Sequence, residues 1–244
     1  MRNPRVLIFT IAFPVILLVL FASVFGGAND AIEIGGARIP VDAYFTAGIT
    51  AYAIMASAFS TLAIGLTSQR ESGQLKRLRG TPLPSWAFIS AQILRAVALV
   101  AAMTVVLFLI GYLAYDIDMT AEGVAGIVVA VLLGTAAFAA LGVALTAVTP
   151  TAEAASTIAP FAGVLLGFIS GVWIPVDTLP DWLVEVGRVF PLAHLAESLQ
   201  RAVADPPLGT GLTGENVAVL AAWGIAGLVV AARGFRWEPQ AHRG

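Results

Sequence analysis

Long continuous apolar runs constrain this chain more than any other feature. A membrane helix needs about 20 apolar residues at 1.5 Å each to cross about 30 Å of hydrocarbon. Six segments meet or approach that length: 6–25, 44–66, 86–115, 124–148, 158–174 and 217–232. They are continuous rather than alternating in and out over ~10 residues, which argues for helices and against a spanning barrel. Charged residues make up only 11% of the 244 residues, against ~25% in a soluble domain. The chain therefore reads as one all-α transmembrane domain over 1–244, placed in a cell membrane.

The apolar run at 6–25 is longer than the 7–15-residue core of a signal peptide. The Gly26–Asp30 stretch after it lacks a clear small-x-small cleavage pattern. It reads as a retained first helix.

Charge sets the expected orientation. Arg2 and Arg5 precede the first segment, Arg70, Lys76, Arg77 and Arg79 follow the second, and Arg233, Arg236 and Arg243 close the chain. The alternate connections are acidic, carrying Asp30, Glu33 and Asp42, then Asp116, Asp118 and Glu122, then Asp177, Asp181, Glu185, Glu197, Asp205 and Glu215. This alternation predicts an even number of spans with both termini in the cytoplasm.

Other classes are narrowed by what the residues permit. There are no cysteines, which excludes disulfides, thiolate metal sites and cysteine nucleophiles. The one lysine, Lys76, is followed by Arg77, so no P-loop exists and any ATP chemistry belongs to another chain. His194 and Glu197 form an isolated H-x-x-E without a second ligand, and no metal is expected. The net charge of −2 gives no reason to expect a nucleic-acid partner. Mid-membrane acidic or histidine residues, usual in ion-coupled carriers, do not appear, though such a carrier remains the alternative function. Arg95 is read as reaching the inner surface along its stem. Glu153 is placed at the inner interface.

Small residues recur at helical spacing at Gly163, Gly167 and Gly171, and at Gly126, Ala130 and Gly134. Such faces allow close helix packing, within the chain or between copies. Thr46, Thr50, Ser57 and Thr61 fall near one face of the second segment. They either line a polar path or bond back to their own helix.

Two connections carry their own pattern. Around 69–80, Leu75 and Leu78 share one side of a short helix, with Lys76, Arg77 and Arg79 around the others, and Gly80 and Pro82 ending it. Lipid anchoring and docking of a cytoplasmic partner both fit. Over 175–206, Trp182, Leu183, Val186 and Phe190, then Leu195, Leu199 and Val203, keep helical spacing between prolines. Two amphipathic helices at the outer interface are expected.

Both connections resemble segments of the type-2 ABC exporter permeases. Arg70-Glu71-Ser72-Gly73-Gln74-Leu75-Lys76-Arg77-Leu78-Arg79-Gly80-Thr81-Pro82-Leu83 is similar to that family's R-E-x-G-[ST]-x-E-x-L-x-x-[ST]-P-[LI] segment. Gly171-Val172-Trp173-Ile174-Pro175-Val176-Asp177-Thr178-Leu179-Pro180-Asp181-Trp182-Leu183, followed by Phe190-Pro191-Leu192, resembles its outer segment. The layout is most similar to the daunorubicin-resistance permeases. The resemblance implies a coupling helix in which Glu71, Gly73, Leu75 and Leu78 dock on an ATPase subunit, with Arg70 and Arg77 at the rim. It implies a re-entrant extracellular gate that includes Trp173, Pro175, Leu179, Pro180, Trp182, Phe190 and Pro191. It also implies an ATPase dimer carrying ATP and Mg²⁺, and a second copy of this chain or a related permease. The implied activity is export of a drug-like, antibiotic or lipid-like molecule, with no catalysis and no cofactor on this chain. Two departures stand out. Only five residues precede Val6, where the family has an amphipathic helix, and Gln74-Leu75-Lys76-Arg77 lacks the usual acidic residue.

Overall fold

A computed structural model describes residues 4–25, 31–34, 37–80, 85–206 and 208–234. It is a helical bundle capped at one end by a pair of short helices. Helix α1 (Pro4–Phe25) leads into a two-stranded antiparallel hairpin, β1 (Ala31–Ile34) and β2 (Ala37–Pro40), with Glu33 opposite Arg38. A long helix follows as α2 (Val41–Met55), a π-helical turn (Ala56–Ser60) and α3 (Thr61–Glu71). Then come the short α4 (Gln74–Arg79), the spans α5 (Ser85–Tyr115) and α6 (Ala121–Val148), and α7 (Ala152–Ile169). A 3₁₀ turn (Val176–Thr178) precedes α8 (Asp181–Arg188) and α9 (Pro191–Ala202), and α10 (Gly214–Gly234) closes the bundle.

Among the described residues, five helices are long and apolar enough to cross a membrane: Val41–Glu71, Ser90–Tyr115, Ala121–Val148, Ala152–Ile169 and Gly214–Gly234. The described apolar part of α1, Ile11–Phe25, is shorter. The chain is thus an all-α, multi-pass membrane protein.

Val41–Glu71 lies at the centre, with 72% of its most apolar window buried, against 17% for Gly214–Gly234. The outer helices instead turn large apolar side chains outward, such as Leu113, Phe161 and Leu228, as lipid-facing helices must. α10 packs mainly along α6, and α9 lies between α2, α6 and α10.

Glycine makes those approaches possible. A Cβ on Gly134 would stand 2.7 Å from Leu195 of α9, and one on Gly126 would collide with the Thr210 backbone. The capping residues Thr120 and Thr151 start α6 and α7 by accepting from Gly123 N and Ala154 N.

Three local features differ from the sequence reading. The 31–40 hairpin lies in a connection expected only to be acidic. α7 stops at Ile169 rather than continuing to 174, because Gly171 takes φ +72 and turns the chain although its neighbours stay apolar. And α9 is not an interfacial helix with a lipid-facing side: Leu192, Leu195 and Leu199 are buried in the bundle core.

Candidate functional site

Chemistry-bearing residues gather at the two ends of the bundle. At the α4 end, Arg70 and Glu71 close α3, and Gly73 follows with φ +70, a conformation that costs an L side chain ~1–2 kcal/mol. Ser72 N and Gly73 N bond back to Ser68 O and Arg70 O, and the turn leads into α4.

The Arg70 guanidinium is 1% exposed. Its Nη1 donates to Thr146 O at 2.7 Å, and its Nη2 to Thr149 O at 2.5 Å and Pro150 O at 3.2 Å. These carbonyls end α6, where the helix dipole is negative. Next to it, Glu71 Oε2 accepts from Ala152 N at 3.0 Å, at the positive start of α7. Two adjacent residues of opposite charge thus sit on two helix termini of matching polarity. Together they staple the end of α3 to the α6–α7 turn.

This arrangement corrects part of the docking assignment. Arg70 is not at a rim but deep in the bundle. Leu75 is not presented to a partner either, since it is fully buried against its own chain. The side chain of Leu78 lies outside the described residues. Lys76 and Arg77 are exposed, as is Glu71.

At the opposite end, Tyr44 OH donates to Gly171 O and pins the turn that follows α7. Trp173 folds under this turn against Tyr52 (ring centroids 4.6 Å apart) and Phe21 (5.8 Å), close beside Gly167. Pro175 starts the 3₁₀ turn, Leu179 follows it, and Pro180 starts α8. Gly187 lets α8 pass against the Ile169 carbonyl. Phe190 stacks on Trp223 at 6.0 Å, and the Trp223 indole N–H donates to Val189 O at 2.8 Å. Pro191 opens α9, while Trp182 projects outward at 67% exposure.

His194 ties this cap to α10. Its Nε2 lies 2.7 Å from Arg188 O and its Nδ1 2.7 Å from Asn216 Oδ1. A carbonyl can only accept, so Nε2 carries a ring proton. Glu197, three residues on, instead lies 3.8 Å from Arg201.

Of the two readings of the second segment, back-bonding to the same helix is the one seen at two of its residues. Thr46 Oγ1 donates to Asp42 O and Thr50 Oγ1 to Thr46 O, both at 2.7 Å. Ser57 is buried with its hydroxyl 3.3 Å from Met103 Sδ, and Thr61 is exposed on another side of the helix. The glycine face on α7 packs inside the protomer. A Cβ on Gly163 would lie 2.8 Å from Met55 Cε, and those on Gly167 and Gly171 would strike Trp173 and Val176.

Sequence reasoning missed two cavities. An apolar crevice of about 320 Å³ runs between α6, α7 and α10, walled by Phe138, Leu145, Leu166, Phe190, Trp223 and Val230. A smaller one of about 60 Å³ lies at the end of α7, walled by Ile169, Ser170, Arg188, Ala193, Glu197 and Gln200. Ser170 and Gln200 are polar residues among apolar neighbours, which was the available signal.

Comparison with known proteins places these features. The family model for the ABC-2 type transporter matches residues 1–203. A Bacillus subtilis (strain 168) protein described as "Putative transport permease YvfS" is 27% identical over 182 residues, 75% of this chain and 72% of that one. The match takes in both ends of the bundle and every helix up to α9. With a central helix ending in Arg70-Glu71 and a short-helix cap over α7, this chain belongs to the ABC-2 type transporter family.

Proposed function

We propose that the chain is the permease subunit of an ATP-driven exporter in a cell membrane, with both termini in the cytoplasm and α1 as a sixth span. It moves a drug-like, antibiotic or lipid-like molecule outward, an activity that would serve multidrug efflux or antibiotic resistance. ATP and Mg²⁺ are handled by a separate ATPase dimer, and a second copy of this chain or a related permease completes the complex.

The observation that carries this reading is the mounting of α4. Its Leu75 is buried and the preceding Arg70–Glu71 pair holds the ends of α6 and α7, while Lys76 and Arg77 face outward. A helix anchored on one side and charged on the other behaves as a lever. A push on its exposed face passes through the Gly73 turn to α3, and from there through Arg70 and Glu71 to the ends of α6 and α7. The docking surface is accordingly the basic face and not the leucine.

Co-expression with a candidate ABC ATPase subunit, one carrying a P-loop and an ABC signature, tests the proposal. The double variant Lys76→Glu/Arg77→Glu should insert normally yet lose ATPase capture and export. Capture and export at wild-type levels in that variant would overturn the docking assignment.

A further inference from the structure

The two cavities are lined from neighbouring stretches of α7 and of the α8–α9 segment. Leu166 walls the crevice, and Ser170, four residues later on the same side of α7, walls the small pocket. Across from them, Phe190 belongs to the crevice and Arg188 and Ala193 to the pocket, on either side of the α8–α9 junction. One side is apolar, and its indole N–H is already committed to Val189 O. The other side is polar and incompletely satisfied.

Ser170 Oγ and Gln200 Nε2 have no hydrogen-bond partner, although Ser170 is 5% and Gln200 2% exposed. The Gln200 amide lies beside the Tyr44 hydroxyl without hydrogen-bond geometry, and that hydroxyl spends its proton on Gly171 O. Leaving such groups buried and unpaired is costly, so their position calls for an occupant. Glu197 is drawn toward Arg201 at 3.8 Å, while among the described residues no carboxylate pairs with Arg188. The unspent groups are therefore mainly donors: a hydroxyl, an amide NH₂ and a guanidinium. Donors of this kind fit an oxyanion. The pocket of about 60 Å³ has room for a carboxylate, or for two waters at roughly 30 Å³ each. From Phe138 to Val148 the crevice follows α6 for about 15 Å, the reach of a medium-length acyl chain.

We infer that the crevice and pocket together form a binding site for a single-chain acidic amphiphile, its apolar tail between α6, α7 and α10 and its oxyanion head on Ser170, Gln200 and Arg188. The cargo reading rests on the exporter function proposed above. The site lies beneath the α8–α9 cap, so a molecule there stands at the exit and opens toward the lipid side.

The test uses the full chain alone in phosphatidylcholine nanodiscs, with 12-bromododecanoate as probe. Bromine on the tail quenches Trp223, whose share of the emission is isolated by comparison with Trp223→Phe. Saturable quenching by the acid is expected, with none at the same concentration of 12-bromododecanol. Ser170→Ala/Gln200→Leu should weaken the apparent affinity about tenfold, as expected for losing two modest hydrogen bonds. The exposed Arg188→Gln, which leaves the core untouched, should weaken it as well and serves if the double variant fails to insert. Equal quenching by acid and alcohol, or unchanged affinity in the variants, would overturn the site. Displacement of the probe by phosphatidylglycerol nanodiscs would make it a bound-lipid site and overturn the cargo assignment. No ATPase is present, so loss of ATPase capture and loss of probe binding are separate results.

Discussion

Arg70 shows how one residue can look like surface and act as core. The family resemblance implied a rim position for it. The overlooked signal was spacing: Leu62, Leu66 and Arg70 are each four apart, so the arginine continues the buried stripe of α3. Hydrogen bonds to charged groups contribute roughly 1.5–3 kcal/mol each, and Arg70 directs three at the α6 carbonyls. Arg70→Met should lower stability by roughly 3 kcal/mol or more, read from unfolding of the purified protein in mixed micelles. Glu71→Gln keeps an acceptor for Ala152 N at an exposed position and should change stability little. A similar midpoint for the two variants would mean that the α6 carbonyls find another partner. Leu75 carries the same lesson, since a leucine on a short basic helix reads equally as knob or anchor until the Gly73 turn sets the direction of that helix.

Elements were legible where composition alone decides them. A 20-residue apolar run has few options in lipid, so the helices could be read directly. Features set by one or two residues could not. The π-helical turn at Ala56–Ser60 leaves the apolar run unbroken, the strands at 31–40 span only four residues each, and α7 ends on a single left-handed glycine. The π turn also explains Gly142. A Cβ there would meet the Phe59 carbonyl at 2.7 Å and the Ala58 carbonyl at 3.0 Å, and backbone gives way less readily than a side chain. Gly142→Ala should therefore destabilise by about 1–3 kcal/mol through overpacking. Gly65, in α3, has nothing within 4 Å of the same position. Gly65→Ala should stabilise by about 0.5–1 kcal/mol through helix propensity, giving opposite shifts in one unfolding assay. Equal effects would show that the π turn shifts to accommodate a side chain.

At the scale of the whole molecule, the bundle has two ends of unlike charge. Lys76 and Arg77 are exposed beside the buried Arg70 at the α4 end. Asp116, Glu122, Asp181, Glu185 and Glu215 belong to the other, where the connections to α6, α8 and α10 lie. Basic residues are retained on the cytoplasmic side during insertion, so the α4 end should face the cytoplasm and the α8–α9 cap the exterior. The proposed coupling and exit roles depend on this orientation, because an ATPase can reach only one end. The absence of cysteine makes it directly measurable, since any introduced thiol is the sole target of a maleimide. Trp182, 67% exposed, and Lys76, on the exposed face of α4, are suitable positions. In intact cells a membrane-impermeant maleimide should label Trp182→Cys within minutes and leave Lys76→Cys unmodified until the membrane is permeabilised. The reverse pattern would invert the bundle, placing α4 beyond the reach of any cytoplasmic ATPase and turning the α8–α9 cap into an inner gate.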